Sequence, residues 1–179
     1  MKRSRLISIA VALLLPLAAI ADSYTSLWKQ YDVAVRKDHP QTVLRLLSQI
    51  ADKAQRERAY GQLLKAQVKS ADYQCELSAD SLQPVVERMK LMEQQAVNSG
   101  DNVLAAIYQS VLGSVYTNNS FALDDAKATG KQYFKKSMSH PDALAKAYAT
   151  GYEPFVVDGV DSKYYYDDML HIIAMRAKD

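Results

Sequence analysis

Residues 26–50, "SLWKQYDVAVRKDHPQTVLRLLSQI", carry two apolar stripes at helical spacing with only a His39-Pro40 step between them. Tyr24, Leu27, Trp28, Tyr31 and Val35 recur at intervals of three and four, which puts them on one face of a helix that Ser23 can cap. Val43, Leu44, Leu47, Ile50 and Ala54 repeat the pattern after Pro40, whose missing N–H costs nothing in a first helical turn. So short a connection leaves the two helices only an antiparallel arrangement as a hairpin.

The same reading extends along the chain. Tyr60, Leu64, Val68 (or Gln67), Ala71 and Cys75 predict a third helix, ended by the polar turn "ELSADS". A fourth opens near Asp80 or Ser81, tolerates Pro84, continues through Val85, Met89, Met92 and Ala96, and stops at Gly100. Asp101 caps a fifth, with Leu104, Ile107, Tyr108, Val111, Leu112 and Val115. After "YTNNS" the expectation is a helix ending near Met138, although Gly130 inside it costs about 1 kcal/mol relative to Ala. Ser139-His140-Pro141-Asp142 has the form of a capping box and predicts a short helix through Leu144 and Tyr148. "TGYEPFVVDGVDS" is a connector in which "PFVV" is buried or briefly extended, and Ser162 caps a last helix with Tyr166, Met169 (or Leu170) and Ile173 inward.

These expectations describe an all-α fold of about eight helices in antiparallel hairpins, stacked as a solenoid-like, tetratricopeptide-like array. Strict repeats are absent, but "AVRKDHPQTV" and "AVNSGDNVLA", 62 residues apart, align over a few positions as a two-unit repeat.

The first 21 residues have the layout of a cleavable signal peptide: Lys2, Arg3 and Arg5, then an apolar run from Leu6 to Ile20, then Ala19-Ile20-Ala21. That run is short for a bilayer span and holds Pro16, while Asp22 stands where a lipoprotein would need Cys. The expectation is export to the periplasm or cell surface, with residues 22–179 as one helical domain, divided if at all near residue 120 into 22–119 and 120–179. Cleavage removes three cations, so 22 basic residues become 19 against 20 acidic ones, and the net charge moves from +2 to −1. A near-neutral chain without a Lys/Arg block gives no electrostatic basis for binding nucleic acid. Partners are expected to be proteins. Cys75, the single cysteine, cannot form an internal disulfide and is expected to be a buried thiol.

The one local cluster that invites a chemical reading is "YYYDDMLH", residues 164–171. On a helix Asp167 and His171 lie four apart and Asp168 and His171 three apart, so they could share a metal. Zinc requires three or four ligands, and neither His39 nor His140 stands at a ligand spacing from them. The structural alternative outweighs it: Asp167 and Asp168 serve the positive end of a helix, and the tyrosines bury rings while exposing hydroxyls. His39 and His140 are best read as the residues before Pro40 and Pro141. No nucleophile elbow, phosphate-binding glycine loop or H-E-x-x-H sequence is present, so neither an enzyme nor a cofactor is expected. Twelve tyrosines suit a scaffold that holds a protein, and the candidate contact residues are Trp28, Tyr31, Tyr164, Tyr165, Asp168 and His171. Ordinary half-buried packing between helices is the competing account of those rings.

Two stretches taken together resemble the amino-terminal helical region of bacterial alpha-2-macroglobulin-like (MG2 domain-containing) proteins. One is "YTSLWKQYDVAVRKDHPQTVLRLLSQIADKAQRERAYGQLLKAQV", with its Leu-Trp-Lys segment and the run from Gln62 to Ala66. The other is "GYEPFVVDGVDSKYYYDDMLHIIA", with its Asp-Ser turn and the helix from Asp168 to His171. The resemblance implies a non-catalytic docking or support module from a protease-inhibitor family, expected here as a truncated or partial member. It transfers no thioester, because Cys75 is followed by Glu76-Leu77, and it leaves no room for macroglobulin sandwich domains. The alternative is a free-standing periplasmic adaptor that binds an envelope protein through the groove between its hairpins.

Overall fold

The computed structural model describes residues 16–159 and 167–178, with side chains from Tyr24 to Gly159 and from Asp167 to Ala177. Most of the signal segment (1–15), Ser162, Tyr164, Tyr165 and Tyr166 lie outside the described residues.

The helices are α1 (Pro16–Arg36), α2 (Pro40–Glu57), α3 (Tyr60–Leu77), α4 (Leu82–Asn98), α5 (Asn102–Asn118), α6 (Ala126–Ser137), α7 (Pro141–Ala145) and α8 (Met169–Lys178). Short 3₁₀ turns at Ala79–Ser81 and Ala149–Tyr152 complete the described secondary structure, apart from one isolated antiparallel bridge between Tyr148 and Asp168. The fold is all-α. No described helix is long and apolar enough to cross a membrane.

Side-chain pairs fix the helix directions. Tyr24 of α1 donates to Glu57 at the far end of α2 (2.7 Å), so these two run antiparallel. Trp28 Nε1 donates to Gln62 of α3 (2.7 Å), and Lys65 and Lys69 lie over Trp28 and Tyr31 in turn, so α3 runs parallel to α1. The core is three apolar clusters in sequence: α1 to α3 around Leu46, Leu47 and Ile50; α3 to α6 around Val86 and Leu112; and a third joining Leu64 to Leu104, Ile107, Leu144, Met169 and Ile173.

Three corners are built alike. At the end of α1, Asp38 is left-handed (φ 51°), and the N–H of His39 reaches back to Ala34 O (3.0 Å). At the end of α2, Arg58 takes that place (φ 55°), with Ala59 N bonded to Ala54 O (2.9 Å). At the end of α4, Gly100 takes it (φ 74°), with Asp101 N bonded to Ala96 O (3.0 Å). Each is a Schellman turn whose buried alanine sits at the last inward position and whose next residue but one opens the following helix. The stretches "AVRKDHPQTV" and "AVNSGDNVLA" superimpose two of these corners, and "AQRERAYGQL" (54–63) is the third.

Several local expectations change. Ser23 lies within α1 and is not its cap. Val35 is 41 % exposed and Ala34 is buried in its place, because the turn draws Ala34 inward. The capping box at Ser139 does not form: Pro141 fixes the first helical turn and drives its predecessor out of helical geometry, so His140 is the N-cap without a side-chain bond. His39 stands in the same relation to Pro40. The short helix stops at Ala145, and Tyr148 is extended and exposed, paired through backbone bonds to the start of α8 (Ala149 N to Asp167 O, 2.8 Å; Met169 N to Ala147 O, 2.9 Å). Cys75 is half-buried instead of buried, and desolvation raises its thiol pKa.

Gly130 has a packing reason. A Cβ there would meet Thr117 Oγ1 at 2.7 Å and Gly113 O at 3.1 Å, and a Cβ on Gly113 would meet the Phe134 ring at 2.8 Å. The two glycines face one another and let α5 and α6 cross with backbones close, which a propensity scale counts only as a cost.

Candidate functional site

A concavity of about 820 Å³ opens where two of the matching corners meet the start of α5. Gln55 and Arg58 come from the end of α2, Tyr60 and Gln67 from α3, Gln95 from α4, and Asp101, Asn102 and Tyr108 from the α4–α5 corner and α5. Its volume falls within the range of ligand sites, about 300–1,000 Å³.

The floor is rigid. Tyr108 is buried, and its hydroxyl donates to Gln67 Oε1 (2.6 Å), which orients that amide and leaves its NH₂ without a partner among the described residues. Burial pushes the Tyr108 hydroxyl up to about 12, and Tyr152, packed in the same cluster, is likewise pushed up to about 12 by burial. Asp101 caps α5 by accepting from Leu104 N (3.0 Å). The walls present four primary amides, Gln55, Gln67, Gln95 and Asn102, with one cation, Arg58, and one carboxylate, Asp101. The lining is thus rich in groups that both donate and accept, and close to neutral.

Arg58 is the strained element. A non-glycine residue in the left-handed region costs about 1–2 kcal/mol, and the equivalent corner across the cleft uses glycine. Its guanidinium makes no hydrogen bond or ion pair within the described residues, so no internal contact of its own offsets that cost.

The residues singled out from sequence lie elsewhere. Trp28 and Tyr31 meet edge to face at 5.4 Å between centroids and spend their rings on packing under Lys65 and Lys69, away from the cleft. Asp168 is the N-cap of α8: it accepts from His171 N–H (2.9 Å) and lies 2.9 Å from His171 Nδ1. Asp167 is exposed and contributes its backbone carbonyl to the bridge. Among the described residues no three His, Cys, Asp or Glu side chains gather as a metal site. The bond from the His171 N–H holds the Asp168 carboxyl below its ordinary value. A depressed carboxyl stabilises the fold above its unfolded pKa of about 4 and loses that contribution as acid protonates it. Asp168→Ala should therefore cost about 1 kcal/mol at neutral pH, and in thermal melts the gap to the parent should close below about pH 4.

Comparison with family models, with curated proteins and with solved structures finds no match to this chain.

Sequence reasoning placed Tyr60, Gln67, Tyr108 and Asp101 on stripes or caps but assigned the cleft none of them. The only signal available was Gln67, which competes with Val68 for an inward position and resolves as a polar group under a cavity.

Proposed function

We propose that the protein is a non-catalytic helical docking module that holds an extended polypeptide segment of a partner in the cleft between its hairpins. The observation that carries this is Arg58, kept at a position that favours glycine, on the lip of a cleft lined by amides. A primary amide matches the alternating N–H and C=O of a peptide backbone, and a near-neutral lining offers nothing to a polyanion. With Tyr108 buried and Tyr60 half-buried, no broad ring face is offered to a stacked sugar or base. The three matching corners favour reading the array as solenoid-like, and the resemblance to alpha-2-macroglobulin-like proteins supports export and a support role. The reading frame downstream of Asp179 tests that relationship: macroglobulin-like coding sequence would support it and an unrelated gene would remove it.

Arg58→Gly separates function from stability. It relieves the backbone, so it should raise stability by about 1 kcal/mol, and it should weaken peptide binding about tenfold by deleting a charged hydrogen-bonding group. The measurement is titration of ¹⁵N-labelled protein with peptides selected from a phage-displayed random library, alongside thermal melts. Shifts confined to Gln55, Gln67, Gln95 and Asn102, lost in Arg58→Gly, support the reading. Shifts elsewhere, or a variant that binds as well as the parent, defeat it.

A further inference from the structure

A second cavity, about 340 Å³, lies between α5, α8 and the connector segment 155–157, which turns back on Tyr152, and it is remote in composition from the cleft. Ile107 and Val111 of α5, Phe155, Val156 and Val157 of the connector, and Met169, Ile172 and Ile173 of α8 make it apolar on every wall. Its two polar lining residues, Ser110 and Arg176, bond to each other.

Arg176 is held in one pose. Nε donates to Ser110 Oγ (3.0 Å) and one terminal nitrogen donates to Ser114 Oγ (2.9 Å). Among the described residues the other terminal nitrogen has no partner and no carboxylate pairs with the group. By comparison, Lys65 and Lys69 cover rings, Lys136 meets Glu93, and Arg45 and Arg88 each donate to a glutamine amide within reach of solvent. The residue is exposed at its tip, while desolvation of its guanidinium against the pocket wall lowers its pKa. Met169, Ile172, Ile173 and Arg176 follow one another along α8, so the cation stands at one end of an apolar wall.

A pocket of this shape, greasy along its length and cationic at one end, fits one chemical class. We infer that it binds a single-chain anionic amphiphile, a long-chain carboxylate whose alkyl chain lies along Ile107, Phe155 and Ile172 and whose head group pairs with Arg176. The volume sits at the lower end of ligand sites, which suits one chain and excludes a two-chain lipid. Each terminal nitrogen carries two N–H groups, so those not given to the serines still form a fork that a carboxylate meets with two parallel bonds. Two serines hold that fork before the ligand arrives, which reduces the ordering cost of binding.

The experiment is calorimetric titration of the full chain with sodium dodecanoate below its micellar range, with dodecyltrimethylammonium as the charge-reversed probe. Expected are saturable one-to-one binding of dodecanoate, no saturable binding of the ammonium, and methyl shifts at Ile172 and Ile173. Arg176→Gln should weaken dodecanoate about tenfold by removing a charged partner. Val157→Glu, at an exposed position on the rim where folding is undisturbed, should weaken it through like charge. Arg58→Gly should leave it unchanged, which keeps this site independent of the cleft. Unsaturable uptake, equal binding of the ammonium, or an Arg176→Gln variant that binds as the parent does would each overturn the assignment.

Discussion

Gly61→Ala should lower the melting temperature by about 10 °C, although the same change in an isolated helix would be stabilising by about 1 kcal/mol. The sign is decided by position. A Cβ on Gly61 would lie 2.0 Å from the carbonyl oxygen of Glu153 and 2.5 Å from the carbonyl carbon of Tyr152, both backbone atoms. A flexible side chain could swing aside from such a contact, but here the whole connector would have to lift off α3. Phe155 and Val156, which pack with Tyr60 and Tyr152 against the third core cluster, would lift with it. Overpacking of this kind costs about 3 kcal/mol, and a chain of this length loses roughly 2–4 °C per kcal/mol. Far-UV melts give the magnitude, and amide exchange locates it: protection should fall first at residues 149–156. A melt that rises, as propensity alone would have it, would show that the connector does not rest on Gly61.

The second large effect concerns Glu93, which is 5 % exposed although it stands on an amphipathic helix beside Met92, the residue that spacing favours for the interior. Its Oε1 accepts from Gln109 Nε2 of α5 (2.7 Å) and from Lys136 Nζ of α6 (2.7 Å), so one carboxylate ties three helices together. The Lys136 side chain is itself about half exposed. Truncating the lysine strands a charge in the interior, which costs about 3 kcal/mol, whereas Glu93→Ala releases the lysine to water and leaves only the Gln109 amide unpaired, about 2 kcal/mol. The exposed member of the pair should therefore be the more damaging one to remove. Glu93→Leu with Lys136→Ala should recover only about 1 kcal/mol of the lysine variant's loss, since it removes the stranded charge but still leaves the buried Gln109 amide unpaired. Urea midpoints of the three variants decide it; equal losses for both single changes would mean that the carboxylate reaches solvent.

Much of the architecture was legible because helices announce themselves through period and punctuation. The His39-Pro40 break, the stop at Gly100, the Asp101 cap and the end near Met138 all stand as the residues indicate, since each depends on neighbours in sequence. Ser139 departs from expectation for a local reason, since the geometry imposed by Pro141 prevails over the capping pattern, while Tyr148 leaves the helix because its neighbours pair with the distant start of α8. What could not be read is what depends on distant residues. Gly130 looks like a weak point in a helix until Gly113 is opposite it, and Glu93 looks like a surface carboxylate until Lys136 is beside it. The cleft has no motif because its lining comes from four helices and a short fifth, each supplying one to several groups that are unremarkable in their own segment. The left-handed conformation of Arg58 is hidden for the same reason, since nothing in "QRERAY" marks the position that the Gly of "NSGDN" marks openly.

Trp28 is the chain's single indole, and it is wedged between α1 and α3 with its N–H committed to Gln62 and a lysine across its face. Its indole emission is consequently a gauge of the first three helices alone. If the α5–α8 end loosens first under heat or denaturant, ellipticity will move while the emission maximum stays put, and the gap between the two curves will measure how far the molecule melts piecewise.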